Sequence, residues 1–370
     1  MKVLLTYTSY PLSVDDWRGR FMFELAHELA AHPNVALRLW GPPGPIPEQA
    51  ICATSPQDAE WLRQLLMRGG IAHLLRSSPV KGLMAATGLL YRLGRAYRRN
   101  ANVDLVHVNW LQNAIGLLGT RTPALVSTLG SDFRLLSLPG MVPLLRAVFR
   151  QRRCILAPNG GWMVPVLQKH FGDVTEIRYV PFGIDQRWFA IQRQLASAEP
   201  RRWLVVLRVT VKKIGPLFEW GEGLFSESDE LHLFGPMQEN VPIPPWVHYH
   251  GPTNPDALAK EWYPKAAGMI SLSTHDEGRP QVLLEAMAAG LPVLVSPIPA
   301  HRDLVIDGEN GRLIESADAL RAALASLHNL QPNVALGKRA RDWVRNNIGT
   351  WEDCADRYVD IYRELCGCKP

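Results

Sequence analysis

Two glutamates stand with seven residues between them in the stretch His275-Asp-Glu-Gly-Arg-Pro-Gln-Val-Leu-Leu-Glu-Ala-Met-Ala-Ala-Gly-Leu-Pro-Val293. A carboxylate accepts two O–H bonds in a defined geometry, so Glu277 and Glu285 suit either acid/base work or the holding of sugar and ribose hydroxyls. An apolar run over 268–272 reads as a strand, followed by a polar turn. Pro280 at the start, and Gly290 with Pro292 at the end, bound a helix that begins near Arg279–Pro280 and carries Glu285 about two turns in. Glu277 then lies past the carboxyl end of a strand. The free N–H groups of the helix start face the crevice where α/β folds bind phosphorylated ligands.

Positioning these groups requires a larger frame. Strands are predicted over 3–6, 36–40, 105–108, 124–127 and 154–157, then over 203–207, 231–234, 247–249, 268–272 and 292–296. The runs are apolar throughout and alternate with helical patterns, which indicates α/β architecture with parallel sheets covered on both faces. The first strand leads through a loop with Pro11 and Gly19 to a helix over 21–31. The two series divide near Pro181-Phe-Gly-Ile-Asp185, and the polar stretch from there to Arg202 reads as a linker. The expected domains are 1–182, 183–348 and a terminal helix over 349–370 that packs an aromatic stripe of Trp351, Tyr358 and Tyr362 back on the first domain. At ~150 residues per domain, 370 residues allow two or three.

The stretch around Glu277 and Glu285 resembles the Glu-x7-Glu signature of the family 4 (group 1) retaining glycosyltransferases. Glu-Ala-Met-Ala-Ala-Gly-Leu-Pro-Val is similar to that family's helix and following strand. Leu207-Arg-Val-Thr-Val-Lys-Lys213 resembles its strand-end Arg followed five residues later by Lys, and Leu231-His-Leu-Phe-Gly-Pro236 its next strand-to-Gly turn. Asp307-Gly-Glu-Asn-Gly311 is similar to the turn after the donor site, and Val180-Pro-Phe-Gly-Ile-Asp185 to the interdomain Pro-Asn-Gly-x-Asp. The resemblance implies the GT-B fold, two Rossmann-like domains whose parallel sheets face a central cleft.

It also implies roles. Arg208 and Lys213 would contact the donor's diphosphate, with Lys212 as a stand-in. Fixed cations there stabilise the charge that builds as the glycosidic bond breaks. Glu277 would hold donor-sugar hydroxyls beside Gly278, Arg279, Pro280 and Gln281, and Glu285 the nucleotide ribose. Gly19, in Arg18-Gly19-Arg20, matches the family's glycine that lets backbone approach phosphate and acceptor. No side chain stands out as a covalent nucleophile, so the implied route is front-face substitution, in which the departing phosphate oxygen takes the acceptor proton. No cofactor and no metal are implied, and no Asp-x-Asp occurs.

The acceptor side departs from the family pattern. Asp104-Leu-Val-His-Val-Asn109 has Asn where a second His is frequent, and Thr128-Leu-Gly-Ser-Asp132 has Leu129 in place of another. His107, Asn109 and Asp132 are the candidates there.

Charge is unevenly placed. The chain carries +5, yet residues 61–153 hold 14 Lys/Arg and only Asp104 and Asp132 as acids, a local +12 that leaves −7 for the rest. Leucines interleave with Arg63, Arg68, Arg76, Lys81, Arg92, Arg95, Arg98 and Arg99 over 61–100, the pattern of a basic amphipathic surface that lies on anionic lipid. Nucleic acid is disfavoured, because no recognition module is present and few aromatics accompany the basic residues. The expected partners are a nucleotide sugar, a lipid-linked or saccharide acceptor and an anionic membrane surface.

Five scattered cysteines without a Cys-x-x-Cys pair fit a reducing cytosol, and Cys366-Gly-Cys368 reads as incidental thiols on a tail. The amino terminus reads as an immediate strand with no signal peptide. The expected place is the cytoplasmic face of the cell membrane, in assembly of envelope glycans. A nicotinamide oxidoreductase lacks its GxGxxG here. An epimerase or phosphorylase of the same fold would share the donor contacts. A sugar-nucleotide-binding protein without turnover would not need Arg208, Lys213, Glu277 and Glu285 together.

Overall fold

Most of the predicted runs become parallel strands buried on both faces, whereas the edge strand Val247–Gly251 is largely exposed. The computed structural model describes the chain except residues 14, 15, 17, 18, 196–199, 276 and 368–370, with Ser131 by its backbone alone. Arg18 and Cys368 thus lie outside the described residues. Contacts divide the chain into two units, Met1–Phe182 with Trp351–Pro370, and Gly183–Thr350.

In the first unit the strands are β1 (Lys2–Thr6), β2 (Ala36–Trp40), β3 (Ile51–Cys52), β4 (Leu105–Asn109), β5 (Ala124–Thr128), β6 (Cys154–Pro158) and β7 (Glu176–Ile177). They form one sheet in the order β3-β2-β1-β4-β5-β6-β7, every pair parallel. Alternation sends Leu5, Leu37, Leu105 and Leu125 to one face, against the helix α1 (Arg20–Ala31) and the helix Trp351–Cys366. Leu4, Val106, Val126 and Leu156 face the other way, onto a separate core.

That second core includes part of the basic segment. Three helices, α2 (Pro56–Met67), α3 (Gly70–Ser77) and α4 (Pro79–Arg99), span it. Helix α4 buries Leu89, Leu93, Ala96 and Tyr97, whereas α3 buries nothing. The acid-free run is not without counter-charge. Asp58 and Glu60, just ahead of it, pair with Arg92 at 3.4 Å and Arg63 at 2.6 Å, and Arg92 stacks on Trp61 at 4.1 Å. At the end of α2 Met67 is 77% exposed, and in the first turns of α4 Val80 is 72%, Leu83 63% and Met84 68% exposed. Among the described residues no helix is long and apolar enough to cross a membrane.

The second unit contains β8 (Arg201–Val206), β9 (Asp229–Phe234), β10 (Val247–Gly251), β11 (Ala266–Ser271), β12 (Val293–Val295) and β13 (Arg312–Leu313), in the parallel order β10-β9-β8-β11-β12-β13. Strand order reverses between β8 and β11, so the loops after these two strands diverge around a crevice. The polar stretch read as a linker belongs to this unit. Ile184, Trp188, Phe189 and Ile191 are buried in its core, with Asp185 capping the short helix Gln186–Phe189. A segment with four such side chains cannot be solvated as a linker is.

Candidate active site

The loops after β8 and β11 carry the groups singled out from sequence. Arg208 follows β8 by two residues. Its side chain is exposed and has no hydrogen-bond or ion-pair partner among the described residues. Two glycines shape the backbone around it. Gly235 has φ 129°, and a Cβ there would lie 1.7 Å from the Leu207 carbonyl oxygen. Gly215 has φ 58°, and a Cβ would lie 2.0 Å from the Leu272 carbonyl oxygen. Side chains at either place would force the strand ends apart.

Lys213 lies on the short helix Val211–Ile214, capped by Thr210. Its Nζ donates to Glu277 Oε1 at 3.0 Å, and the Ser273 hydroxyl donates to the same oxygen at 3.2 Å. Burial alone would raise the Glu277 pKa, but Lys213, helped by His301 and His275, holds it below the usual carboxylate range. Glu277 is therefore a fixed carboxylate and Lys213 a fixed cation beside it.

The helix after this loop is Gln281–Ala288, with Pro280 in extended conformation just ahead of it. Glu285 is its fifth residue, little more than one turn in, rather than two; the helix starts later because Pro280 ends the loop instead of opening the first turn. Burial pushes the Glu285 carboxyl up to about 7, with Asp185 adding to the rise and Arg187 opposing it. Tyr263 is fully buried nearby, and its hydroxyl has no hydrogen-bond partner among the described residues. Gly278 and Arg279 lie in the loop between the two glutamates, Arg279 largely buried, and the Gln281 amide donates to Gly183 O at 3.5 Å.

Residues 221–329 match the family model described as Glycosyl transferases group 1. That stretch of the second unit is similar to the group 1 glycosyltransferases. Over 130 residues the chain is 31% identical to a D-inositol 3-phosphate glycosyltransferase of Xylanimonas cellulosilytica, covering 34% of this chain and 30% of that protein. Another D-inositol 3-phosphate glycosyltransferase, from Nocardioides sp., is 27% identical over 180 residues, 47% of this chain and 37% of that one. The chain thus spans about a third of the length of these curated relatives. In structure, the whole chain is similar to sucrose-phosphate synthase from Thermosynechococcus elongatus, with a TM-score of 0.72 at 17% identity over 100% of both chains. It is also similar to HepE of Anabaena solved with UDP and glucose, at TM-score 0.64 and 12% identity over 98% of this chain and 100% of that one. The shared architecture is GT-B, two parallel-sheet α/β domains.

The first unit holds the three acceptor-side candidates in its interior. His107 is fully buried, with Nδ1 2.5 Å from the Tyr362 hydroxyl and Nε2 2.8 Å from Ser127 Oγ. Burial pushes its pKa down to about 3. Asn109 is fully buried and donates to Thr6 O at 3.2 Å. Asp132 is 1% exposed; it accepts from the backbone N–H of Leu111 at 2.9 Å and of Gly130 at 2.8 Å, which partly offset a rise in its pKa from burial. All three side chains are buried in the first unit, and Asn109 Oδ1 has no hydrogen-bond partner among the described residues. Gly19 adopts φ 66°, where a Cβ would meet Tyr10 N at 2.6 Å, so glycine is required by the loop after β1. Sequence reasoning missed Ser273, Ser296, Tyr263 and His301. Only Ser273, four residues before Glu277, had a positional signal.

Proposed function

We propose that the chain is a retaining glycosyltransferase that moves a sugar from a nucleotide-diphosphate donor, UDP- or GDP-linked, to an acceptor in envelope glycan assembly. The observation that carries this reading is the 3.0 Å Lys213–Glu277 pair at the switch point between β8 and β11, with Arg208 unpartnered on the same rim. Arg208 and Lys213 would bind the diphosphate and stabilise its growing charge as the sugar leaves, without a metal. Glu277, already ionised, accepts donor-sugar hydroxyls; Glu285 accepts the ribose hydroxyls. Gly278, Arg279, Pro280 and Gln281 line the sugar's path. Front-face departure of the phosphate oxygen, with that oxygen taking the acceptor proton, retains the anomeric configuration.

The acceptor in this reading is lipid-linked, met at the cytoplasmic face of an anionic membrane on which the α3–α4 turn rests. Exposed Met67, Val80, Leu83 and Met84 flanked by Arg68, Arg76 and Lys81 support it. A second reading, a phosphorylated polyol or sugar as acceptor, is favoured by the names of the relatives, and it also suits a basic first unit. A panel of nucleotide sugars scored for thermal stabilisation selects the donor. Transfer from that donor to a polyprenyl-linked saccharide, against inositol phosphate and hexose phosphates, then selects the acceptor. A panel in which no nucleotide sugar stabilises the protein would overturn the function.

A further inference from the structure

One fully buried titratable side chain beside the Lys213–Glu277 pair has no part in the scheme above. His301, on the short helix Pro299–Arg302, is 0% exposed. Its Nδ1 lies 2.9 Å from the carbonyl oxygen of Ser296 and 3.2 Å from Ser296 Oγ. A carbonyl only accepts, so Nδ1 carries the hydrogen and Nε2 is left with a lone pair. That Nε2 has no hydrogen-bond partner among the described residues. An apolar side chain would fill the same space without burying an unsatisfied acceptor. What the imidazole adds is therefore the Nδ1–H bond to Ser296.

Ser296 is the first residue after β12, and its place decides what that bond does. Its N–H donates to Ser271 O at 3.0 Å and its hydroxyl donates to the carbonyl of Ser273. Ser273 in turn donates its hydroxyl to Glu277 Oε1 at 3.2 Å. A continuous chain of hydrogen bonds runs from His301 through Ser296 and Ser273 to the carboxylate that faces Lys213.

We infer that His301 is a positioning residue for the donor-sugar grip, its Nδ1–H fixing Ser296 and, through Ser273, the place of the Glu277 carboxylate. This rests on the reading of Glu277 as the holder of donor-sugar hydroxyls. A neutral ring is what the role requires, because a second cation would compete with Lys213 for Glu277. Burial lowers the His301 pKa, against smaller opposing effects from Ser296 and Glu277, and keeps the ring neutral.

The test compares the full chain with its His301→Leu, His301→Asn and His301→Gln variants by calorimetric titration with UDP-glucose and UDP, and with GDP-mannose and GDP. Asn carries an amide nitrogen where Nδ1 stands and restores the bond to Ser296; Gln places it at the Nε2 position and does not. For the pair the unaltered chain binds, His301→Leu and His301→Gln are expected to keep diphosphate affinity within about twofold and to lose nucleotide-sugar affinity about tenfold. His301→Asn returns it to within about threefold of the unaltered chain. If His301→Leu does not fold, the contrast between Asn and Gln decides alone. Equal sugar-to-diphosphate preference in the unaltered chain and His301→Gln overturns the role of His301. An unaltered chain that binds none of the four ligands overturns the glycosyltransferase reading itself, and this inference with it.

Discussion

Lys213 Nζ and Glu277 Oε1 meet at 3.0 Å although 64 positions separate them, with both side chains mostly buried. Each group defines the charge of the other. Removing the cation leaves a carboxylate that burial drives toward the neutral form.

Lys213→Met should lower turnover at least tenfold, about 1.4 kcal/mol of barrier. It should also change the pH dependence of stability. In the native chain Glu277 titrates below its unfolded value, so its contribution is present above the ordinary carboxylate pKa and is lost as pH falls through the lower folded value. In Lys213→Met the folded pKa rises and the sign reverses. The gap in melting temperature between the two proteins therefore widens from about pH 4 to about pH 7. A constant gap across that range contradicts the pairing.

Glu285 behaves in the opposite sense. Its folded pKa, about 7, is above the unfolded value, so the stability it adds is fully present below the unfolded pKa and disappears as pH rises through about 7. A ribose needs the ionised form. Affinity for a nucleotide sugar, whose diphosphate diester does not titrate here, should rise about tenfold from about pH 6 to about pH 8. Glu285→Gln should bind more weakly and without that rise. An identical rise in the variant assigns the titration elsewhere.

Arg208 is exposed and without a partner, so its removal separates function from stability. Arg208→Ala should cost at least tenfold in turnover, about 1.4 kcal/mol or more, with a melting temperature within about 1 °C of the parent. Near-normal turnover removes Arg208 from the site.

The membrane prediction rests on four exposed side chains rather than on total charge. Arg92 is a poor probe, held as it is between Asp58 and Trp61. Leu83→Glu with Met84→Glu should abolish flotation with vesicles containing anionic lipid, and leave folding intact because both side chains already face solvent. Flotation equal to that of the unaltered chain removes the membrane surface from the account.

The strands of both sheets were legible because runs such as Val293–Val295 are apolar on both faces. Two-residue edge strands such as Ile51–Cys52 and Arg312–Leu313 carry no period to read. At the candidate site, the placement of Arg208, Lys213, Glu277 and Glu285 was legible from spacing, since each lies in a loop or helix that follows a strand. His107 was not. Nothing local to it distinguishes a strand-end histidine that meets a ligand from one covered by Tyr362, which lies 255 residues later. The contribution of His301 was equally hidden, because it acts through two serines on separate loops.

The helix Trp351–Cys366 has a consequence for synthesis. It supplies Trp351, Tyr358, Val359, Tyr362 and Leu365 to the core of the first unit, whereas the second unit is one uninterrupted segment, Gly183–Thr350. As the chain emerges from the ribosome, all of the second unit is available to fold before the last wall of the first has been made. The amino-terminal sheet must therefore wait, with His107, Ser127 and the surrounding leucines uncovered, until the final helix arrives. A stop codon near residue 350 would spare the younger unit and cripple the older one.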